Sequence, residues 1–206
     1  MAGLFITLEG GDGSGKSTQS HLLVDWLRSS GHIVVVTREP GGTDLGIELR
    51  ELVLHRRGDM DPRAEALIYA ADRAHHIATS VRPALERGEV VVQDRYLDSS
   101  VAYQGAGRVL DATEVRNLSL WATEGLLPDL TILLDLDEST GRDRLDSRTR
   151  YDRLEAEEND FHARVRAGYL ELAAAEPERF LVLDARDSVD HIAQAIREHV
   201  SGLLPR

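Results

Sequence analysis

Gly10-Gly11-Asp12-Gly13-Ser14-Gly15-Lys16-Ser17 places a G-x-x-x-x-G-K-[ST] pattern directly after a short apolar run, Leu4 to Glu9, and before a helical pattern from Thr18 to Ser29. Few local patterns restrict a fold as much, because each residue type has a physical task. The glycines open backbone conformations closed to other residues, so successive N–H groups converge on one anion. A helix starting near Ser17 adds the positive end of its dipole to the same point. Lys16 then supplies a point charge for the β- and γ-phosphates, and the Ser17 hydroxyl a ligand for Mg²⁺. The strand–loop–helix context predicts a nucleoside triphosphate site inside an α/β fold.

The rest of the chain extends that unit. Leu22, Leu23, Trp26 and Leu27 recur at helical spacing, and Gly31 closes the helix. Ile33 to Thr37 is a continuous β-branched run, which predicts a strand buried on both faces of a parallel sheet. Helical patterns follow over Thr43 to Leu54 and over Pro62 to Glu86, the second long enough to break in two. Val90 to Val92, Leu130 to Leu136 and Phe180 to Leu183 read as further strands. Glu138 to Leu145, Asn159 to Ala175 and Ser188 to Leu203 read as helices. Strands alternating with helices predict a parallel, doubly wound sheet.

With 206 residues, 42% of them hydrophobic, the chain suits one α/β domain rather than two. The expectation is a single domain over 1–206 with a short mobile lid at about 146–157. No cysteine is present, so disulfides and thiolate metal sites are excluded. No apolar run approaches the ~20 residues of a membrane helix, and the chain is expected to be cytoplasmic. A net charge of −12 argues against holding a nucleic-acid backbone, while a few arginines can still make one cleft locally positive.

Several clusters lie where open parallel sheets place ligands, beyond the carboxyl ends of strands. Arg38-Glu39-Pro40-Gly41-Gly42-Thr43 is a charged turn after one strand, although a bland loop would satisfy the local sequence. Tyr69 and Arg73 share a helical face, a pattern that packing and a solvated charge also explain. Asp94 and Arg95 end a third strand, suited to Mg²⁺ hydration and phosphate binding or to a structural ion pair. Ser99 to Gln104 offers hydroxyls and an amide to a base or sugar, or a helix cap. From Arg142 to Arg153 five arginines alternate with aspartates, as a solvated face or as a lid bringing charge to a phosphate. His75-His76 lacks metal-ligand spacing and reads as solvated polar surface.

Taken together, the segments EGGDGSGKST at 9–18, TREPGGT at 37–43, ELRELVL at 48–54, DRYLDSSVAYQG at 94–105, PDLTILLDL at 128–136 and SRTRYDRLE at 147–155 resemble the bacterial thymidylate kinases nearly end to end. The resemblance implies the P-loop kinase fold, with a five-stranded parallel sheet flanked by helices. It implies transfer of the γ-phosphoryl group of ATP to dTMP, giving dTDP and ADP on the way to dTTP, with Mg²⁺. It also implies a homodimer. Residue by residue, Gly10, Gly11, Asp12, Gly13, Ser14, Gly15, Lys16, Ser17 and Thr18 correspond to the ATP site. Asp12 and Glu39 would lie around the acceptor, and Arg50 and Arg95 would hold its phosphate. Tyr69 would stack on thymine where the family often has phenylalanine, Arg73 would donate to a thymine carbonyl, and Ser100 and Gln104 would complete base recognition. Tyr103 would lie against the deoxyribose, Ser17 and Asp94 would organise the metal, and Lys16, Arg95, Arg148 and Arg153 would be the catalytic cations.

One departure bears on mechanism. Some members carry an arginine within the phosphate loop, and here that position is Gly13, so the lid is expected to supply the charge. In related transfers an arginine reaching the transition state is worth on the order of 10³–10⁵ in rate. Two rivals remain compatible with the residues: a monophosphate kinase for another base, which an acceptor panel distinguishes, and a nucleotide-dependent switch, which would release ADP without any acceptor.

Overall fold

The computed structural model describes residues 3–55, 58–145, 152–155 and 157–204. Its centre is β1 (Leu4–Glu9), with every residue buried. Around it lie β2 (Val34–Arg38), β3 (Val90–Asp94), β4 (Leu130–Asp135) and β5 (Phe180–Asp184) in the order β2-β3-β1-β4-β5. All four pairings are parallel, with Leu4 opposite Val90 and Ile6 opposite Leu130. Up to their terminal acids Glu9 and Asp135, inner strands β1 and β4 are apolar or Thr-containing runs because helices cover both faces. The expectation for Ile33 to Thr37 is overturned: β2 is an edge strand, with Ile33 71% and Val36 50% exposed. β-Branched composition reports pleated backbone, and the order of strands decides burial.

On one face, α1 (Lys16–Ser29) and α9 (Val189–Ser201) pack Leu23, Val24, Leu27, Ile192, Ile196 and Val200 against Ile6, Leu8, Val92 and Ile132. Each such side chain contributes about 1.5–3 kcal/mol by leaving water. On the other face α2 (Asp44–His55), α3 (Pro62–His76) and α8 (Asn159–Ala175) contribute to a second cluster with Tyr69, Tyr103, Leu133, Phe161 and Tyr169.

Helix α3 begins where its residues require. Asp61 accepts from the backbone N–H of Arg63 at 2.9 Å, and Pro62 occupies a first-turn position that needs no donor. The expected break in Pro62 to Glu86 is a π-helical turn, Ile77–Val81, leading into α4 (Arg82–Glu86) just before Pro83. A second π-helical stretch, Val101–Gly107, extends α5 (Leu97–Ser100). After it come α6 (Ala112–Ala122) and α7 (Glu138–Leu145). Glycine closes α1 as expected, Gly31 adopting φ 89° with its N–H on Arg28.

Candidate active site

A cavity of about 540 Å³ opens above the carboxyl ends of β1, β2 and β3. Its phosphate-loop end is lined by Asp12, Gly13, Gly15, Lys16, Ser17 and Thr18. Gly10 and Gly11 line a smaller space of about 50 Å³ beside the loop, and Ser14 is buried. Gly15 has φ 93° and Lys16 starts α1, so the helix N-terminus faces the cavity as the motif requires. Lys16 Nζ donates to the carbonyls of Gly10 and Gly11 at 3.0 and 2.9 Å. Burial, then the charge of Arg95, pulls its pKa below the ordinary lysine value.

Gly13 explains the missing loop arginine. Its φ is 77°, and a Cβ there would lie 2.6 Å from the carbonyl oxygen of Gly141 in α7. A side chain at this position would have to push α7 away.

Arg95 stands across from the loop. Its backbone is left-handed at φ 65°, an arrangement that costs a non-glycine residue on the order of 1 kcal/mol. Its Nη2 donates to Asp12 Oδ1 at 2.5 Å and to the Tyr103 hydroxyl at 3.2 Å. Burial opposes its charge, but Tyr103, Asp12, Tyr169 and Asp94 outweigh it and hold the guanidinium above its ordinary pKa. For Asp12, burial is likewise outweighed by Arg95 and Lys16, and its carboxyl titrates below the usual range. Below them Glu9, fully buried, accepts from Tyr96 N at 2.7 Å, Ser99 Oγ at 2.6 Å and the Tyr169 hydroxyl at 2.9 Å. Sequence reasoning missed Glu9, whose only signal was a carboxylate ending a buried strand.

Glu39, Arg50, Tyr69, Arg73, Ser100, Tyr103 and Gln104 line the same cavity. Arg73 is 1% exposed and nearly saturated: Nε donates to Glu39 at 2.7 Å, Nη1 to Ser119 at 3.0 Å, and Nη2 to Tyr96 O and Ser100 Oγ at 3.1 Å. Arg50 is steadied by the Pro40 carbonyl at 3.0 Å. His76 is the reverse of solvated surface: fully buried, it bonds Glu39 Oε1 at 2.9 Å through Nδ1 and Thr37 Oγ1 at 2.7 Å through Nε2. Its face of α3 turns toward β2, which no local pattern reveals.

The metal residues can be tested by their chemistry. Asp94 Oδ1 is buried with no hydrogen-bond partner among the described residues, and both Asp94 and Ser17 line the cavity. A carboxylate oxygen and a helix-terminal hydroxyl fit a hard cation that keeps most of its waters. No group of three or more His, Cys, Asp or Glu residues suited to holding a metal occurs among the described residues.

The charge run divides. Arg148, and the expected lid positions 146–151 and 156, lie outside the described residues. From the end of that segment the cavity wall takes Asp152, Leu154 and Glu155. Arg153, expected as a lid cation, donates to the Val53 carbonyl at 3.0 Å and to Glu65, drawn by the bare carbonyls ending α2 and a buried carboxylate. Arg144 of α7 lines the cavity, with Nη2 on the Ala185 carbonyl at 3.0 Å. Its signal was membership of the arginine run.

Comparison with known proteins gives the family. The profile of the family described as Thymidylate kinase matches residues 8–196. A thymidylate kinase of Leifsonia xyli subsp. xyli is 77% identical over 97% of this chain and 95% of its own. One of Clavibacter michiganensis subsp. michiganensis is 70% identical over 99% of this chain and 97% of its own. The crystal structure of the thymidylate kinase from Ehrlichia chaffeensis superposes with a TM-score of 0.80 at 31% identity, covering 97% of this chain and 99% of that one. With likeness of sequence, fold and full length in agreement, the chain belongs to the thymidylate kinase family.

Proposed function

We propose that this protein transfers the γ-phosphoryl group of ATP to dTMP, giving dTDP and ADP. The observation that carries the reading is one cavity lined both by the phosphate-loop residues Lys16 and Ser17 and by Arg73, Gln104 and Tyr69. ATP enters with its phosphates on the loop, where Lys16 exchanges the Gly10 and Gly11 carbonyls for phosphate oxygens. The acceptor lies along the opposite arm, its base between Tyr69 and Arg73 and its phosphate between Arg50 and Arg95.

The nucleophile is an oxygen of dTMP phosphate that is already ionised, so no strong base is needed. It attacks the γ-phosphorus in line, the bond to the β-phosphate oxygen breaks, and ADP leaves with that electron pair. Catalysis is then positioning and charge balance. Lys16 and Arg95 serve at the centre, with Arg148 and Arg144 as the cations of the arginine run. Arg153 serves by holding the end of that run. Asp12 keeps Arg95 aimed, and Glu39 keeps Arg73 aimed. Ser17 and Asp94 would hold Mg²⁺, which when bound neutralises charge on the β- and γ-phosphoryl oxygens. Tyr103 packs where a ribose 2′-hydroxyl would need room.

The same reading includes a homodimer in the cytoplasm. Leu45, Ile47 and Leu52 on α2, Leu67 on α3 and Trp121 on α6 are exposed on helices that pack side by side, and apolar surface of this kind favours a second copy. No described helix is long and apolar enough to cross a membrane.

Chromatographic detection of dTDP tests the activity. It forms from dTMP with ATP and Mg²⁺, and Lys16→Ala abolishes it. ADP release that ignores dTMP would instead mark a nucleotide-dependent switch.

A further inference from the structure

Glu65 lies behind the base-reading end of the cavity, one helical turn before Tyr69 on α3, and is completely buried. Three side chains converge on it. Its Oε1 accepts from Gln104 Nε2 at 2.8 Å and from Arg108 Nε at 3.3 Å. Its Oε2 accepts from Arg108 Nη2 at 3.3 Å and from Arg153 Nη2. Arg108 is itself fixed, pairing with Glu157 at 2.5 Å and lying 4.9 Å over the Phe161 ring.

We infer that Glu65 is the positioning residue that sets which end of the Gln104 amide faces the base, and so makes the pocket select thymine and uracil over cytosine. The inference rests on the dTMP reading above and deepens it. A carboxylate clamped by two guanidiniums only accepts hydrogen bonds, so the Gln104 side that meets it must be the NH₂ group. The reverse orientation would bring the amide oxygen to 2.8 Å from a carboxylate oxygen. Gln104 lines the cavity, and with its nitrogen committed, its Oε1 is the end left to a ligand.

That orientation distinguishes bases. Thymine and uracil present N3–H, a donor, between two carbonyl oxygens; cytosine presents N3 as an acceptor next to an amino group. An oriented Oε1 accepts the N3–H of the first two and opposes the lone pair of the third. Arg73, which can only donate, meets a carbonyl at C4 and repels an amino group there. Free to flip, the Gln104 amide would serve cytosine equally well, and discrimination at N3 would vanish.

The test compares the intact protein with Glu65→Gln, whose own amide can offer a donor and let Gln104 turn over. For each, kcat and KM are measured with dTMP and dUMP, and dCMP is followed as substrate and as competitive inhibitor. The expected result is that dCMP moves at least tenfold closer to dTMP while the dTMP/dUMP ratio stays within about twofold. A uniform loss with all three, at constant ratios, would show a merely structural Glu65 and overturn the inference. If the unaltered protein does not phosphorylate dTMP, the functional reading fails instead. Should Glu65→Gln fold poorly, neutron diffraction from the unaltered protein with dTMP decides: a deuteron of Gln104 Nε2 directed at Glu65 together with the thymine N3 deuteron directed at Gln104 Oε1 sustains the inference, and an N3 deuteron directed at any other acceptor overturns it.

Discussion

Arg95 donates to Asp12 at 2.5 Å from a left-handed backbone at φ 65°, so the cation beside the phosphate loop is held by a carboxylate of that loop. The contact joins the end of β3 to the loop after β1 and fixes the guanidinium on the cavity wall. Holding a charge in place beforehand removes reorganisation from the reaction itself.

Asp12→Asn keeps the shape of that contact and removes its charge. Arg95 is then less firmly aimed, and phosphate meets one fewer negative group. The expected outcome in steady-state kinetics is a fall in kcat of about 10–100-fold with KM for dTMP unchanged or lower. A rise in KM alone, with kcat intact, would assign Asp12 to ground-state binding.

Arg73 and Glu39 are both nearly inaccessible, and each satisfies the other. Arg73→Leu leaves a buried carboxylate with only His76 and costs on the order of 3–5 kcal/mol of folding stability. Urea unfolding measures this. A loss below about 1 kcal/mol would mean that water reaches Glu39 and that the pair is no structural keystone.

Glu9 makes stability depend on pH. Burial first, then the charge of Asp98, raises its carboxyl from 4.5 to about 7. Between those values the folded protein keeps a proton that the unfolded chain has released, so stability falls as pH rises through this window. The full favourable contribution holds below 4.5 and is gone above 7, a change on the order of 3 kcal/mol. Glu9→Gln removes this decline. Urea unfolding at pH 5, 6, 7 and 8 should therefore show the variant gaining on the parent protein as pH rises; parallel profiles would contradict the shift.

Asp94→Asn keeps the shape of a buried oxygen that has no described partner but removes the charge. The half-saturating Mg²⁺ concentration is expected to rise about tenfold, with KM for dTMP changed by no more than a few-fold. An unchanged Mg²⁺ requirement would remove Asp94 from the metal site.

What was legible in the sequence was what is local. The phosphate loop and the start of α1 are contiguous, so spacing alone announces their geometry, and the alternation of strands and helices announces a parallel sheet. Strand order is not local, and β2 reads like an inner strand although it lies at the edge. The carboxylates around the site depend on distant partners: Glu9 meets Tyr169 across 160 positions, and Glu65 meets Arg153 across 88. His76 is adjacent in sequence to another histidine, but its environment is made by Thr37 and Glu39. The π-helical stretch that carries Tyr103 and Gln104 leaves no periodic trace in so short a segment. Arg153 stands out in the sequence as part of the arginine run, while its carboxylate partner Glu65 is visible only in the fold.

In the proposed function one cavity reads both the phosphates of ATP and the base of the acceptor. The most direct test of that function is ADP release with ATP and Mg²⁺ across dTMP, dUMP, dCMP and dGMP. Release is expected to depend on an acceptor, with dTMP giving the highest kcat/KM and dCMP and dGMP far below it. Preference for dCMP or dGMP, or release indifferent to any acceptor, would contradict it.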